Sequence, residues 1–146
     1  MKKLLILLLP LLALSCRKSN DVRVLSPKGI EFFSSAQKMS DAVKKSVGDD
    51  FGIIKTFSIK RVDYFEDKEK SLGLVTYEVN GQEHSNIMFL TTAETNKTYK
   101  CTATDCLCRM DIYPDENGGY VYECGGCATN CHWEVSETIN NENKQL

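Results

Sequence analysis

Six cysteines crowd the last third of this chain, spaced Cys101-x4-Cys106-x-Cys108 and then, after fifteen residues, Cys124-x2-Cys127-x3-Cys131. Residues 102–119 among them carry few apolar side chains, so burial alone supplies little to hold that stretch against a core. Cross-links or a bound metal must do what burial does not. Which of the two applies depends on the compartment, because thiols stay reduced in a cytosol and oxidise outside it.

The amino terminus answers that question. Lys2 and Lys3 precede an apolar run over residues 4–14, and Ser15 and Cys16 follow. These are the basic region, short hydrophobic region and small residue of an export signal. The run is too short to cross a bilayer, which takes about 20 apolar residues. Ala13-Leu14-Ser15-Cys16 resembles a bacterial lipobox, with Ala13 where such boxes usually carry leucine. The resemblance implies that residues 1–15 are removed and that Cys16 becomes a diacylglycerol-modified, acylated N-terminus. Two or three acyl chains, at about 0.8 kcal/mol per buried CH₂, hold a domain at a membrane surface durably without spanning it. Arg17 follows Cys16, where enteric lipoproteins retained in the inner membrane carry aspartate, so the expected destination is the outer membrane of a bacterial envelope.

Removing the first 15 of 146 residues leaves 131, enough for one domain and one core. It also removes two lysines and no acid, moving the formal net charge from −2 to −4. That balance gives no reason to expect nucleic acid as a partner. Residues 16–25 read as the lipidated N-terminus and tether, residues 26–137 as one domain with its cysteine-rich part at 100–132, and residues 138–146 as a polar tail.

Past the tether the pattern turns helical. Phe32, Ala36, Met39, Val43 and Val47 recur at spacings of four, three, four and four, a single apolar stripe. Ser26 ahead of Pro27 suits an early N-cap, Ser34 or Ser35 a later one, and Gly48 suits the stop. The spacing predicts a helix over at least residues 35–47 with its stripe in the core. After Gly48-Asp49-Asp50 the period becomes two. Ile53, Phe57 and Ile59 share one parity and Val62 and Tyr64 the other, which predicts a strand with a bulge near Lys60-Arg61. Residues 65–70 read as a charged turn, and Asp63, Glu66, Asp67 and Glu69 beside Lys68 and Lys70 suit solvent rather than catalysis. Residues 72–79 alternate, with Val75, Tyr77 and Val79 on one face. Asn80-Gly81 suits a type I′ turn, and residues 83–92, centred on Ile87-Met88-Phe89-Leu90, answer as a middle strand covered on both faces. The expected class is α+β, one N-terminal helix packed on an antiparallel meander.

One helix followed by a meander resembles a cystatin-like arrangement over residues 26–104, which implies a helix lying across a curled sheet. The Gln-x-Val-x-Gly loop with which cystatins block cysteine proteases has no counterpart in this chain, so the resemblance carries no inhibitor activity.

In an exported chain an even number of cysteines argues for structural disulfides among Cys101, Cys106, Cys108, Cys124, Cys127 and Cys131. Cys106 and Cys108 sit too close to bridge each other, so each is expected to reach Cys124, Cys127 or Cys131, with the pairing open. The chain end then becomes a stapled β-hairpin with residues 120–122 and 132–135 as its strands. Three sharper readings compete. Covalent haem would use Cys127 and Cys131 as thioethers and His132 as an axial ligand, with Met110 or His84 opposite, but CxxxCH is one residue longer than the attachment motif. A zinc or iron–sulfur site would use Cys124-x2-Cys127 as one knuckle, and the second CxxC is missing. A reactive dithiol at Cys124 and Cys127 wants a helix N-terminus, whereas residues 120–123 are strand-like. No cofactor or metal is therefore expected.

Residues 111–118 imitate the middle of a calcium loop through Asp115, Asn117 and Gly118. That register puts Tyr113 and Cys124 where carboxylates are required, so residues 114–119 read as a turn. His84 and His132 stand in no nucleophile, metalloprotease or phosphate-loop motif. Asn96-Lys97-Thr98 matches a glycosylation sequon, idle in a bacterial host. The expectation is a non-catalytic binding or structural module at a membrane. It would present Tyr113, Tyr120, Tyr122 and Trp133 to an unidentified protein or small-molecule ligand. An envelope redox or electron-transfer protein is the competing reading.

Overall fold

The computed structural model describes residues 24–104, 106–127 and 130–137. The expected signal, lipidated Cys16 and polar tail lie outside them. In chain order the elements are α1 (Ala36–Phe51), β1 (Phe57–Glu66), β2 (Lys70–Val79), β3 (Gln82–Thr92), β4 (Asn96–Thr102), β5 (Arg109–Pro114), β6 (Tyr120–Gly125) and β7 (His132–Glu137). They stack as α1, a five-stranded sheet of order β1-β2-β3-β4-β7, and a two-stranded hairpin β5-β6. Every strand pairing is antiparallel, and the α+β class read from the sequence holds.

Ser35 starts the helix, its hydroxyl accepting from the Lys38 N–H at 3.2 Å. Met39, Val43 and Val47 are buried on its sheet side, but Ala36 is exposed. Phe32 is buried ahead of the helix with its ring 5.5 Å from Tyr64. Ser26 caps no helix. Its hydroxyl accepts from the Ile30 N–H and its carbonyl from the Gly29 N–H, closing a turn. Gly48 does not stop the helix, because another turn brings Phe51 against Tyr77 and His84. Gly52, at φ 59°, ends it in a conformation that side chains resist.

The bulge expected near Lys60-Arg61 is present as a register shift between Ile59 and Arg61. It lets Phe57 and Ile59 before it, and Val62 and Tyr64 after it, face one core. Ile53 falls outside the strand and is 79% exposed. Asn80 and Gly81 both take positive φ, 51° and 86°, as a type I′ turn requires. The Asn80 side chain also accepts from the Lys55 and Thr56 N–H groups and donates to the Ile53 carbonyl, tying down the chain between helix and sheet. Residues 86–90 of β3 are buried without a break, as a strand covered on both faces should be.

The sheet divides two cores. On the helix side Met39, Val43 and Val47 meet Val75, Tyr77, Val79, Ile87 and Phe89. On the other side Leu72, Met88 and Leu90 meet Cys101, Cys108 and Met110 under the hairpin. A buried relay connects them: the Tyr77 hydroxyl donates to Asn86 Oδ1 at 2.6 Å, and Asn86 Nδ2 donates to the Cys101 carbonyl at 3.0 Å.

The C-terminal hairpin is stapled, but its strands differ from the expected ones. β6 pairs with β5, Ile112 opposite Tyr122 and Met110 opposite Cys124, while β7 joins the main sheet beside β4, Trp133 opposite Cys101 and Val135 opposite Tyr99. The physical reason is matched alternation. Met110 and Ile112 give Tyr120 and Tyr122 an apolar face to share, and Tyr99 and Cys101 do the same for Trp133 and Val135. The turn at residues 114–119 is as read, with Asp115 Oδ1 accepting from the Asn117 and Gly119 N–H groups.

Replacing Tyr77 by Phe leaves Asn86 Oδ1 buried without its donor. Urea denaturation should show a loss of about 1–3 kcal/mol; a loss below the error of the midpoint would mean that the relay is not structural.

Candidate functional site

The region singled out by the sequence is where β4, β6 and β7 meet. β4 alternates Tyr99 and Cys101, which face the hairpin, with Lys100, which faces the helix. β6 brings Tyr122 and Cys124 over the first pair. Three disulfides close the contact: Cys101–Cys124, Cys106–Cys127 and Cys108–Cys131. The first joins two strands directly. The others join the loop before β5 to the loop before β7, so the hairpin is tied to the sheet at both sides of its base.

Cys124 and Cys127 do not bridge each other but reach Cys101 and Cys106. Cys127 and Cys131, the candidate thioether sulfurs, are committed to Cys106 and Cys108. Of the candidate axial groups, Met110 is 2% exposed within the lower core and His84 packs 4.7 Å from the Phe51 ring beneath the helix.

Beside the staples the aromatic residues sort by face. Tyr99, Tyr122 and Trp133 form a triad of edge-to-face contacts, with centroids 5.5 Å, 6.0 Å and 5.7 Å apart. Burial first, and then the hydrogen-bonded Tyr99 hydroxyl, push the Tyr122 phenol up to about 12, so it stays neutral at physiological pH. Lys70 Nζ lies 5.8 Å over the Tyr122 ring and donates to the Tyr120 carbonyl at 3.0 Å. Tyr120 turns inward against Phe65 at 5.4 Å. Tyr113 lies on the opposite, outward face of the hairpin, across from Val121. The four aromatics expected to form one surface are thus divided, and Tyr99, which the sequence reading passed over, completes the part that remains. Its shared parity with Cys101 was the available signal.

On the helix side Lys100 is 8% exposed. It donates to Asp50 Oδ1 at 2.9 Å and the Ser46 carbonyl at 3.1 Å, and lies 3.2 Å from Glu134 Oε2. Burial alone would lower this ammonium, but the Asp50 hydrogen bond and charge, with those of Glu134, outweigh it and raise the pKa. The charge clamps α1 to β4 and β7. Next to it a cavity of about 410 Å³ opens between the end of α1 and the cysteine loop, lined by Asp49, Asp50, Asn86, Cys101, Cys106 and Cys108 among others.

His84 Nε2 is buried without a hydrogen-bond partner among the described residues, and burial lowers its pKa from 6.5. The chain matches no protein-family model, no curated protein and no solved structure.

The unfolded chain takes up a proton at His84 before the folded one does, so the melting temperature should fall as pH drops below about 6.5; His84→Leu should flatten that part of the curve, and an unchanged slope would contradict the assignment. Cys106→Ser/Cys127→Ser should cost about 3 kcal/mol in urea for its loop of roughly 20 residues, with the other two bridges intact by mass.

Proposed function

We propose that the mature chain is a lipid-anchored, non-catalytic binding module of a bacterial envelope, whose recognition surface is the hairpin-side face of β7. The observation that carries this reading is the setting of Trp133, the chain's single tryptophan. The residue is 36% exposed while its ring is braced by Tyr99 and Tyr122, beside Val135 at 52%. A large ring already fixed by its neighbours loses little entropy on contact, and Trp and Tyr dominate interface energetics for that reason. Covalent staples lie directly beneath it, so the surface is presented on a rigid base.

If Cys16 carries the lipid, only the residues between it and Val24 separate membrane from domain, a reach of at most about 28 Å. A partner would therefore be a membrane-proximal protein or envelope component.

Cys16→Ser should move the protein from the membrane fraction to the soluble one; retention on the membrane would contradict the anchor. For the surface, a photo-crosslinking amino acid at Val135 should trap one defined species in intact cells, whereas the same group at Lys45 on the exposed side of α1 should not. Adding Trp133→Ala should cut the yield roughly tenfold or more while far-UV circular dichroism shows the chain still folded, as expected for a hot-spot residue. Equal yields at both positions, or indifference to Trp133, would remove the proposal.

A further inference from the structure

The sulfurs of Cys101, Cys108, Cys124 and Cys131 all lie within 4.8 Å of one another. A zinc ion bound by four thiolates at about 2.3 Å sets its sulfurs roughly 3.8 Å apart, so once the two bridges are reduced each bonded pair has to part by only about 2 Å, roughly an ångström per sulfur. We propose that the reduced chain carries a tetrathiolate zinc site made by these four residues, in place of the Cys101–Cys124 and Cys108–Cys131 bridges.

Within each of two pairs the backbone ladder brings the cysteines together without a bridge between them. Cys101 lies in β4 opposite Trp133, and Cys131 immediately precedes His132, which pairs with Thr102 of β4. Cys124 lies in β6 opposite Met110, and Cys108 immediately precedes Arg109, which pairs with Gly125 of β6. Two hydrogen-bonded ladders thus present two sulfurs each. Leu72, Met88, Leu90 and Met110 pack around them, an apolar shell that shields a metal–thiolate centre from water. The cavity lined by Cys101 and Cys108, with Asp49 and Asp50 also on its wall, gives a cation a way in. Spacing in the sequence hid this set because its members come from four separate segments and the CxxC pair contributes only Cys124.

The chemistry balances with a reductant of the phosphine or dithiol class. Each bridge accepts two electrons and two protons as the reductant becomes a phosphine oxide, with water supplying the oxygen, or a disulfide. One Zn²⁺ then displaces the four thiol protons. The metal ties the hairpin to the sheet through the same residues as the bridges it replaces, so binding free energy becomes folding free energy. The site belongs to the chain before oxidation or after reduction, and does not rest on the binding surface proposed above.

The test uses the full chain, reduced with a water-soluble phosphine without oxygen. Zn²⁺ should bind at one ion per chain and restore the Trp133 emission of the stapled protein, and Co²⁺ should give the intense charge-transfer and visible bands of tetrahedral thiolate ligation. With zinc present, iodoacetamide should label Cys106 and Cys127 while the other four are protected, as read by peptide mass. Cys106→Ser/Cys127→Ser should keep the affinity, and Cys101→Ser/Cys124→Ser should weaken it beyond the tenfold that loss of an outer-shell partner costs. Six thiols labelled alike with or without zinc overturns the proposal. So does protection of Cys106, Cys108 and Cys127, whose sulfurs form the other close group.

Discussion

The layer beneath the sheet depends on covalent cross-links at the base of one hairpin. β5 and β6 are six residues each, and an isolated pair of strands that short is marginal in water. Cys101–Cys124 fixes β6 across β4, and the two loop bridges hold both sides of the hairpin's base. Met110 and Ile112 then have somewhere to be buried, and Tyr122 can meet Tyr99 and Trp133. The lower core follows from the cross-links as much as from its own apolar area.

The helix layer is held in a different way. Its apolar stripe packs on β2 and β3 without any bridge, and its C-terminal half is clamped by Lys100 to Asp50 and, from the neighbouring strand, Glu134. Cys101, one residue along β4, points to the opposite layer. A single strand therefore carries alternating instructions, charge upward to the helix and sulfur downward to the hairpin. Asn86 joins the two, because it accepts from Tyr77 on the helix side and donates to the carbonyl of Cys101.

Much of this architecture was legible in the residues. The helical stripe, the bulge at Lys60-Arg61, the Asn80-Gly81 turn and the doubly covered strand around Met88 each leave a local pattern, and local patterns are what a sequence displays. Helix ends and strand partners were less legible because distant residues decide them. Gly48 has the composition of a stop, yet Phe51 gains contacts with Tyr77 and His84 that lengthen the helix by a turn. Trp133 and Val135 alternate like a hairpin strand, but nothing within that segment says that β4, rather than β6, offers the matching face. The aromatic site was half visible for the same reason. Trp133 and Tyr122 stand out by type, whereas Tyr99 becomes part of the site only when β4 and β7 pair.

Three specific bridges hold the hairpin to the sheet. The direct measurement is peptide mapping of the unreduced protein, cleaved between the cysteines and read by mass. Three linked pairs should appear, Cys101 with Cys124, Cys106 with Cys127 and Cys108 with Cys131, with no free thiol among the six. A bridge between Cys124 and Cys127, or haem attached at Cys127 and Cys131, would contradict this pairing and return the cysteine-rich end to redox chemistry.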